Sequence, residues 1–301
     1  MWRHYFADIP LWTMGFRGPR ITRRIARQNE AEAAGVRQGF ERLCRNLGRS
    51  AQEEEMRRVV EEFFLVKTVA EGDAYAPLCM TGGNLKRRFP LEGEGHLAGA
   101  LTEERPIVLL SGHTGTFTAS LISLLPLGRP VYMVARKFVW SSEDHPARQS
   151  YLAIYHRLLN LRFPVRFLYS DLSGSVDRSL QTALSGPNIV VVFIDLPLSL
   201  YPFKRMPVPL FGRPSSLPSG FVRWALRKKA RFFTAWSIVA RDADGRLDRI
   251  LRIGPPFPDT DGPGEIIRGY AESLSALVAD QPWQWMELPV IGLFDEGSQG
   301  E

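Results

Sequence analysis

Residues 106–126 read PIVLLSGHTGTFTASLISLLP, and within that run the imidazole of His113 is the group suited to exchanging a proton near neutral pH. Its surroundings give the histidine a defined place. Residues 107–110 are a short β-branched and aliphatic run, long enough for a buried strand and too short for an independent helix. Ser111, Gly112, Thr114, Gly115 and Thr116 make a turn of small residues. Residues 117–125 then carry apolar side chains at helical spacing until Pro126, where the helix is expected to stop. Strand, turn and helix put His113 at the carboxyl end of a strand, where open α/β sheets bind ligands. A histidine buried for packing alone would occupy the same place, so the position does not by itself establish chemistry.

Other chemistries lack support. No GxGxxG, P-loop, CxxC pair or Gly-x-Ser-x-Gly elbow is present, which leaves dinucleotide, P-loop nucleotide, zinc and elbow-hydrolase readings without residues to carry them. Cys44 and Cys79 have no metal-ligand spacing and form no disulfide framework, a pattern suited to a reducing cytoplasm, and no metal site is expected. The 301 residues carry a formal net charge of +6, with arginine-rich stretches at residues 17–27, 86–88 and 227–231. Each run is also what a solvated face looks like, but the balance favours an acidic partner. Nucleic acid is not expected, since no recognition motif or aromatic interleaving accompanies the charge.

The elements that must position His113 alternate. Residues 20–48 and 50–69 read as helices, the second opened by the capping pattern of Ser50 and Glu53. A short strand or turn and a helix at 94–101 precede the core strand. Strands follow at 131–137, 164–170, 188–195 and 230–241, with helices at 146–161, 175–184, 219–229 and 265–279 between or after them. Residues 196–217, rich in Pro and Gly, read as irregular. This predicts an α/β fold with a mainly parallel central sheet flanked by helices. Residues 1–85 are read as a helical N-terminal part packed on an α/β domain at 86–301. No stretch approaches ~18 uninterrupted apolar residues, so no transmembrane helix is expected. Trp2, Tyr5, Phe6, Leu11, Trp12, Met14 and Phe16 lie beside basic residues, a mixture suited either to a membrane interface or to docking on the protein's own core.

Four segments in order carry a resemblance. LEGEGHLAGALTEERPIVLLSGHTGTF (91–117), FIDLPLS (193–199), VPLFGRPSSLPSGFVRWAL (208–226) and ADQPWQWMELP (279–289) resemble the lysophospholipid acyltransferase superfamily. They are closest to its branch of bacterial lipid A biosynthesis (lauroyl/myristoyl) acyltransferases, and the similarity spans about residues 88–290. The branch has GH-x-G-x-W-E, in which the histidine and the following acid form a catalytic dyad. The resemblance therefore implies that His113 is a general base, and that the fold is glycerolipid acyltransferase-like.

Departures from the branch set the questions. Thr118 stands at the acid's position, Leu196 replaces the glutamine expected after Asp195, and Glu287 and Leu288 replace a closing His-Arg. Thr118 accepts a hydrogen bond but carries no charge. Asp195 is the first candidate for a substitute acid, since it should end a neighbouring strand; Glu143 and Asp144 are weaker ones. Backbone N–H groups around Gly115 are expected to hold a phosphate or oxyanion. Arg136 and Lys137 end the second strand and are candidates for a phosphate of donor or acceptor. Arg205 and Arg213 are candidates for an acidic headgroup or a carrier's phosphopantetheine, and Phe211 and Gly212 for shaping the loop under the site. Trp283 and Trp285 are expected to be core or interfacial anchors, and His96 a structural helix residue, while His4, His145 and His156 have no nameable partner.

The expected function is transfer of a fatty acyl group from an acyl thioester, on acyl carrier protein or acyl-CoA, to a hydroxyl or amine of a lipid or secondary-metabolite acceptor. No cofactor is expected beyond that donor. The expected location is cytoplasmic, with peripheral contact to the inner membrane left open by the N-terminal aromatics. The alternative is a catalytically degenerate protein that keeps the fold and binds an acyl group or its carrier.

Overall fold

The computed structural model describes residues 29–73, 89–116, 119–136, 165–170, 177–197, 199, 201, 204–241 and 247–295. Its centre is a seven-stranded sheet in the order β1-β9-β8-β2-β5-β3-β4. The strands are β1 (Leu91–Glu92), β2 (Ile107–Ser111), β3 (Val131–Arg136), β4 (Val165–Ser170), β5 (Ile189–Phe193), β8 (Arg231–Arg241) and β9 (Leu247–Pro256). Between them in sequence lies an antiparallel ribbon of β6 (Arg205–Leu210) and β7 (Arg213–Pro218). Strands β4, β3, β5, β2 and β8 run parallel; β9 pairs antiparallel with β8, and β1 is parallel to β9. The molecule is an α/β protein with a mixed, mostly parallel sheet.

Binary pattern explains the layering. Strand β2, IVLLS, is buried at every position, and β5, IVVVF, at all but the last. Such strands are apolar on both faces and need cover on both. Ile107, Leu109, Ile189 and Val191 join one hydrophobic cluster, roofed by Leu97 and Ala100 of α3 (Glu94–Thr102) and by Leu121, Ile122 and Leu124. Val108, Leu110, Val190 and Val192, one residue out of phase, join the other. That face is covered by α1 (Glu30–Asn46), α2 (Glu53–Asp73), α4 (Asp177–Ala183), α5 (Gly220–Arg227) and α6 (Pro263–Asp280). Each fully buried Leu, Ile, Val or Phe contributes about 1.5–3 kcal/mol through removal from water.

Three elements depart from expectation. Residues after Thr118 form a 3₁₀ helix, Ala119–Leu127, which contains Pro126 rather than stopping before it. The stretch expected to be irregular holds the β6–β7 ribbon; its Pro207, Pro209 and Pro214 are tolerated because a free two-stranded ribbon leaves ladder positions without an obligatory donor. Strand β9 was not foreseen at all. Helix α2 begins at Glu53, three residues beyond Ser50, with Glu53, Glu54 and Glu55 in its positive first turn. The helix expected at 146–161, Cys79, the N-terminal aromatics and the 86–88 basic cluster lie outside the described residues. Among the described residues no helix is long and apolar enough to cross a membrane.

The N-terminal helices share a core with the C-terminal segment. Phe40, Leu43, Phe63 and Phe64 lie in the same cluster as Trp285, Leu288 and Phe294, and Cys44 is buried among them as a free thiol. Helix α1 approaches so closely that a Cβ on Gly39 would sit 2.0 Å from the Leu288 carbonyl oxygen. A Cβ on Gly99, in the middle of α3, would meet nothing within 4 Å. Gly99→Ala is therefore expected to stabilise by about 0.5–1 kcal/mol through helix propensity. Gly39→Ala is expected to destabilise by about 1–3 kcal/mol because a backbone carbonyl must move. Urea unfolding of the two variants checks the contrast; equal shifts would show that α1 does not seat on this segment as described.

Candidate active site

Parallel pairing brings the site together. Strands β2 and β5 are neighbours, with Ser111 opposite Phe193, so the turn after β2 and the loop after β5 emerge side by side at the carboxyl end of the sheet. Two residues beyond β5, Asp195 is fully buried. Its Oδ1 lies 2.9 Å from His113 Nδ1, and its Oδ2 accepts the His113 backbone N–H at 2.7 Å and the Trp285 indole N–H at 3.0 Å. A carboxylate only accepts, so the ring proton belongs on Nδ1 and Nε2 is left to handle protons. The His113 side chain keeps 24% of its surface exposed. Its ring also packs on Phe193, with centroids 5.1 Å apart.

Electrostatics follow from that arrangement. Burial pushes the imidazolium pKa down from 6.5, but the Asp195 charge and hydrogen bond, with a further push from Glu287, reverse this and raise it to about 9. Nearby, the Tyr270 hydroxyl on α6 donates to the Ser111 carbonyl at 2.8 Å. Burial first, and the Asp195 charge second, hold that phenol well above its usual value, so it stays neutral.

Close approach explains two glycines. A Cβ on Gly112 would lie 2.9 Å from Asp195 Oδ2 and 3.1 Å from the Tyr270 hydroxyl. Gly115 has φ +51, and a Cβ there would meet the Ser237 carbonyl at 2.5 Å. Four amides of the turn are bonded within the protein. His113 N–H goes to Asp195, Thr114 N–H to the Gly112 carbonyl at 2.7 Å, Gly115 N–H to the Gln284 carbonyl at 2.7 Å, and Thr116 N–H to Ser237 Oγ at 3.1 Å. The Gly115 N–H, expected to help hold an oxyanion or phosphate, is thus bonded to a carbonyl of the C-terminal segment.

The C-terminal segment is the turn's other half. Thr114 and Trp285 form an antiparallel bridge, and Met286 N–H donates to the His113 carbonyl at 2.7 Å. Gln284, fully buried, ties this segment to β8 by accepting the Val239 N–H at 3.0 Å and donating to the Val239 carbonyl at 2.8 Å. Trp285 is fully buried between Phe211, at 4.7 Å, and Phe294, at 5.2 Å. Phe211 and Gly212 form the two-residue turn of the β6–β7 ribbon, with φ +51 and +75. That turn type needs positive φ at both positions. A phenylalanine there costs about 1–3 kcal/mol of strain, and packing must hold it. Besides Trp285, a hydrogen bond from its N–H to Ser275 Oγ at 3.1 Å does so.

The other sequence candidates divide. Arg205 donates to the carbonyls of Leu196, Tyr201 and Ser216 and to Ser216 Oγ. These bonds pin the loop that begins at Asp195. Arg213 bonds Asn46 Oδ1 at 3.1 Å, and Gly212 abuts the Asn46 carbonyl, so both sit against the end of α1. Arg136 ends β3, one strand beyond β5, and its side chain is outside the described residues, as are Thr118, Lys137, Glu143, Asp144, His4, His145 and His156. His96 is exposed on α3. Trp283 lies under the Arg58 guanidinium, 5.1 Å from the ring centre. Among the described residues no cluster of His, Cys, Asp and Glu could hold a metal ion. Two cavities of about 280 and 360 Å³, beside Arg105 and beside Trp283, are not lined by His113 or Asp195.

Sequence reasoning missed the hydrogen bonding of Trp285, Gln284 and Tyr270. The QPWQW match marked the segment but gave no sign of what its indole would touch, and nothing local marked Tyr270. No known protein family matches the chain by its sequence profile, and no curated protein matches it.

The raised pKa has a stability consequence. A histidine whose folded pKa of about 9 exceeds its ordinary 6.5 adds stability that is fully present below about 6.5 and lost as pH rises through about 9. Urea unfolding at pH 6 to 10 should show this loss in the wild type and not in Asp195→Asn. A wild-type profile as flat as the variant's would refute the buried ion pair.

Proposed function

We propose that the protein is an acyltransferase in which His113 and Asp195 form the catalytic dyad, on a fold of the glycerolipid acyltransferase kind. The observation that carries this reading is the 2.9 Å bond from His113 Nδ1 to the buried Asp195 carboxylate. A carboxylate at Nδ1 fixes the tautomer, orients the ring and stabilises the imidazolium formed during the reaction. In this reading Asp195 supplies, from the end of another strand, the acid missing at Thr118. Nε2, the ring nitrogen not facing Asp195, takes the proton of an acceptor hydroxyl or amine as its oxygen or nitrogen attacks the carbonyl of an acyl thioester. Collapse of the tetrahedral intermediate breaks the C–S bond, and the imidazolium returns the proton to the leaving thiolate. Because the amides of residues 113–116 are bonded within the protein, stabilisation of the oxyanion falls to other donors. The net charge of +6 supports an acidic donor, such as a carrier protein or coenzyme A thioester.

Acyl transfer from a radiolabelled carrier or coenzyme A thioester to a panel of lipid and soluble acceptors tests the reading. His113→Ala should lower kcat/KM by about 10²–10⁴-fold, and Asp195→Asn by about 10⁴-fold. Transfer that survives His113→Ala unchanged would overturn it. Only neutral imidazole accepts a proton, so with its pKa at about 9 the wild-type kcat/KM should climb tenfold per pH unit toward 9 and then level off.

A further inference from the structure

We infer that Trp285 is a positioning residue for the dyad: its indole N–H, held by the strained Phe211 turn, fixes the rotation of the Asp195 carboxylate so that Oδ1 faces His113. The inference rests on the acyl-transfer reading for its catalytic meaning and on hydrogen-bond geometry for its physical content. A carboxylate turns about its Cβ–Cγ bond, and one hydrogen bond to a histidine ring leaves that turn loosely restrained. Here Oδ2 receives two donors from different directions, the His113 amide at 2.7 Å and the indole at 3.0 Å. Two rigid donors on one oxygen define the plane of the group, and the second oxygen must then lie where Nδ1 meets it.

Rigidity of the indole is built in three ways. The ring is packed between Phe211 and Phe294, its backbone bridges Thr114 in the histidine turn, and the preceding Gln284 is bonded in both directions to Val239. Phe211 is the outermost support. Its unfavourable φ of +51 is retained in a ribbon that contributes no strand to the main sheet, and its ring contacts the indole that contacts the acid. This gives the ribbon and the C-terminal segment one shared task.

Among the described residues, the charged or titratable groups acting at His113 include Asp195 and Glu287, with Tyr270 bonded beside them at Ser111. If the indole merely neutralised Asp195, removing its N–H would concentrate negative charge at the imidazolium and raise the His113 midpoint. If the indole positions the carboxylate, removal lets Oδ1 swing away and the midpoint falls. The two roles move one observable in opposite directions.

The test is an NMR titration of the His113 ring in the full chain, wild type against Trp285→Phe, which keeps an aromatic ring and loses the donor, with Trp283→Phe as control. The expected result is a midpoint that falls from about 9 toward 6.5 in Trp285→Phe and stays in place in Trp283→Phe. In the transfer assay, kcat should drop by about 10–100-fold with KM within about twofold, the size of one charge-assisted hydrogen bond. A midpoint that rises or stays while only the melting temperature falls would overturn the inference. Should Trp285→Phe not fold, the wild-type indole N–H resonance decides: it should shift with the His113 midpoint, and a resonance that ignores that titration overturns the inference. The titrations need no acyl donor, so absence of transfer in the wild type would defeat the functional reading and still leave the role of Trp285 decided.

Discussion

The Asp195 carboxylate, fully buried at the end of β5, is the constraint around which the site is arranged. A buried charge costs several kcal/mol unless it is paired and hydrogen-bonded. Asp195 meets that condition with three N–H partners from two segments: the His113 ring and amide, and the Trp285 indole. Satisfying it dictates much else. Gly112 must lack a side chain because the carboxylate fills the space a Cβ would need, and the loop leaving Asp195 is fastened by Arg205. Each such feature would be unexplained without the acid.

Two layers of support stand behind that carboxylate. The parallel pairing of β2 with β5 fixes the distance between the histidine turn and the acid to the width of one strand pair. The C-terminal segment then closes the arrangement from the side, bonded to the histidine turn through Gly115 and His113 and to β8 through Gln284. Helices α1 and α2 pack on this segment in turn, so burial remote from the sheet contributes to holding the indole against Asp195. Packing and chemistry are thus coupled through Trp285.

Sequence patterning carried the sheet well where strands are apolar on both faces. The runs that became β2, β3, β4, β5 and β8 were legible because short stretches rich in β-branched, aliphatic and aromatic residues leave few alternatives. It failed where tertiary context outweighed local signals: the proline-bearing β6–β7 ribbon, the arginine-bearing strand β9 between β8 and the short β1, and the 3₁₀ helix that runs through Pro126. In each case the local residues argue for loop or breaker, and a partner strand or a buried face decided otherwise.

For the site, the sequence by itself determined that His113 sits in a glycine turn at a strand end, that Thr118 carries no charge, and that Asp195 should end a nearby strand. It could not decide whether the acid reaches the histidine, because 82 residues separate them and only strand order sets their distance in space. Tertiary structure alone decided that β5 lies beside β2, that the Gly115 amide bonds the Gln284 carbonyl, that Arg205 bonds the Leu196 carbonyl and the Ser216 hydroxyl, and that an indole ninety residues from Asp195 reaches it. Hydrogen-bond partners are a property of positions brought together by packing, and no local pattern encodes them.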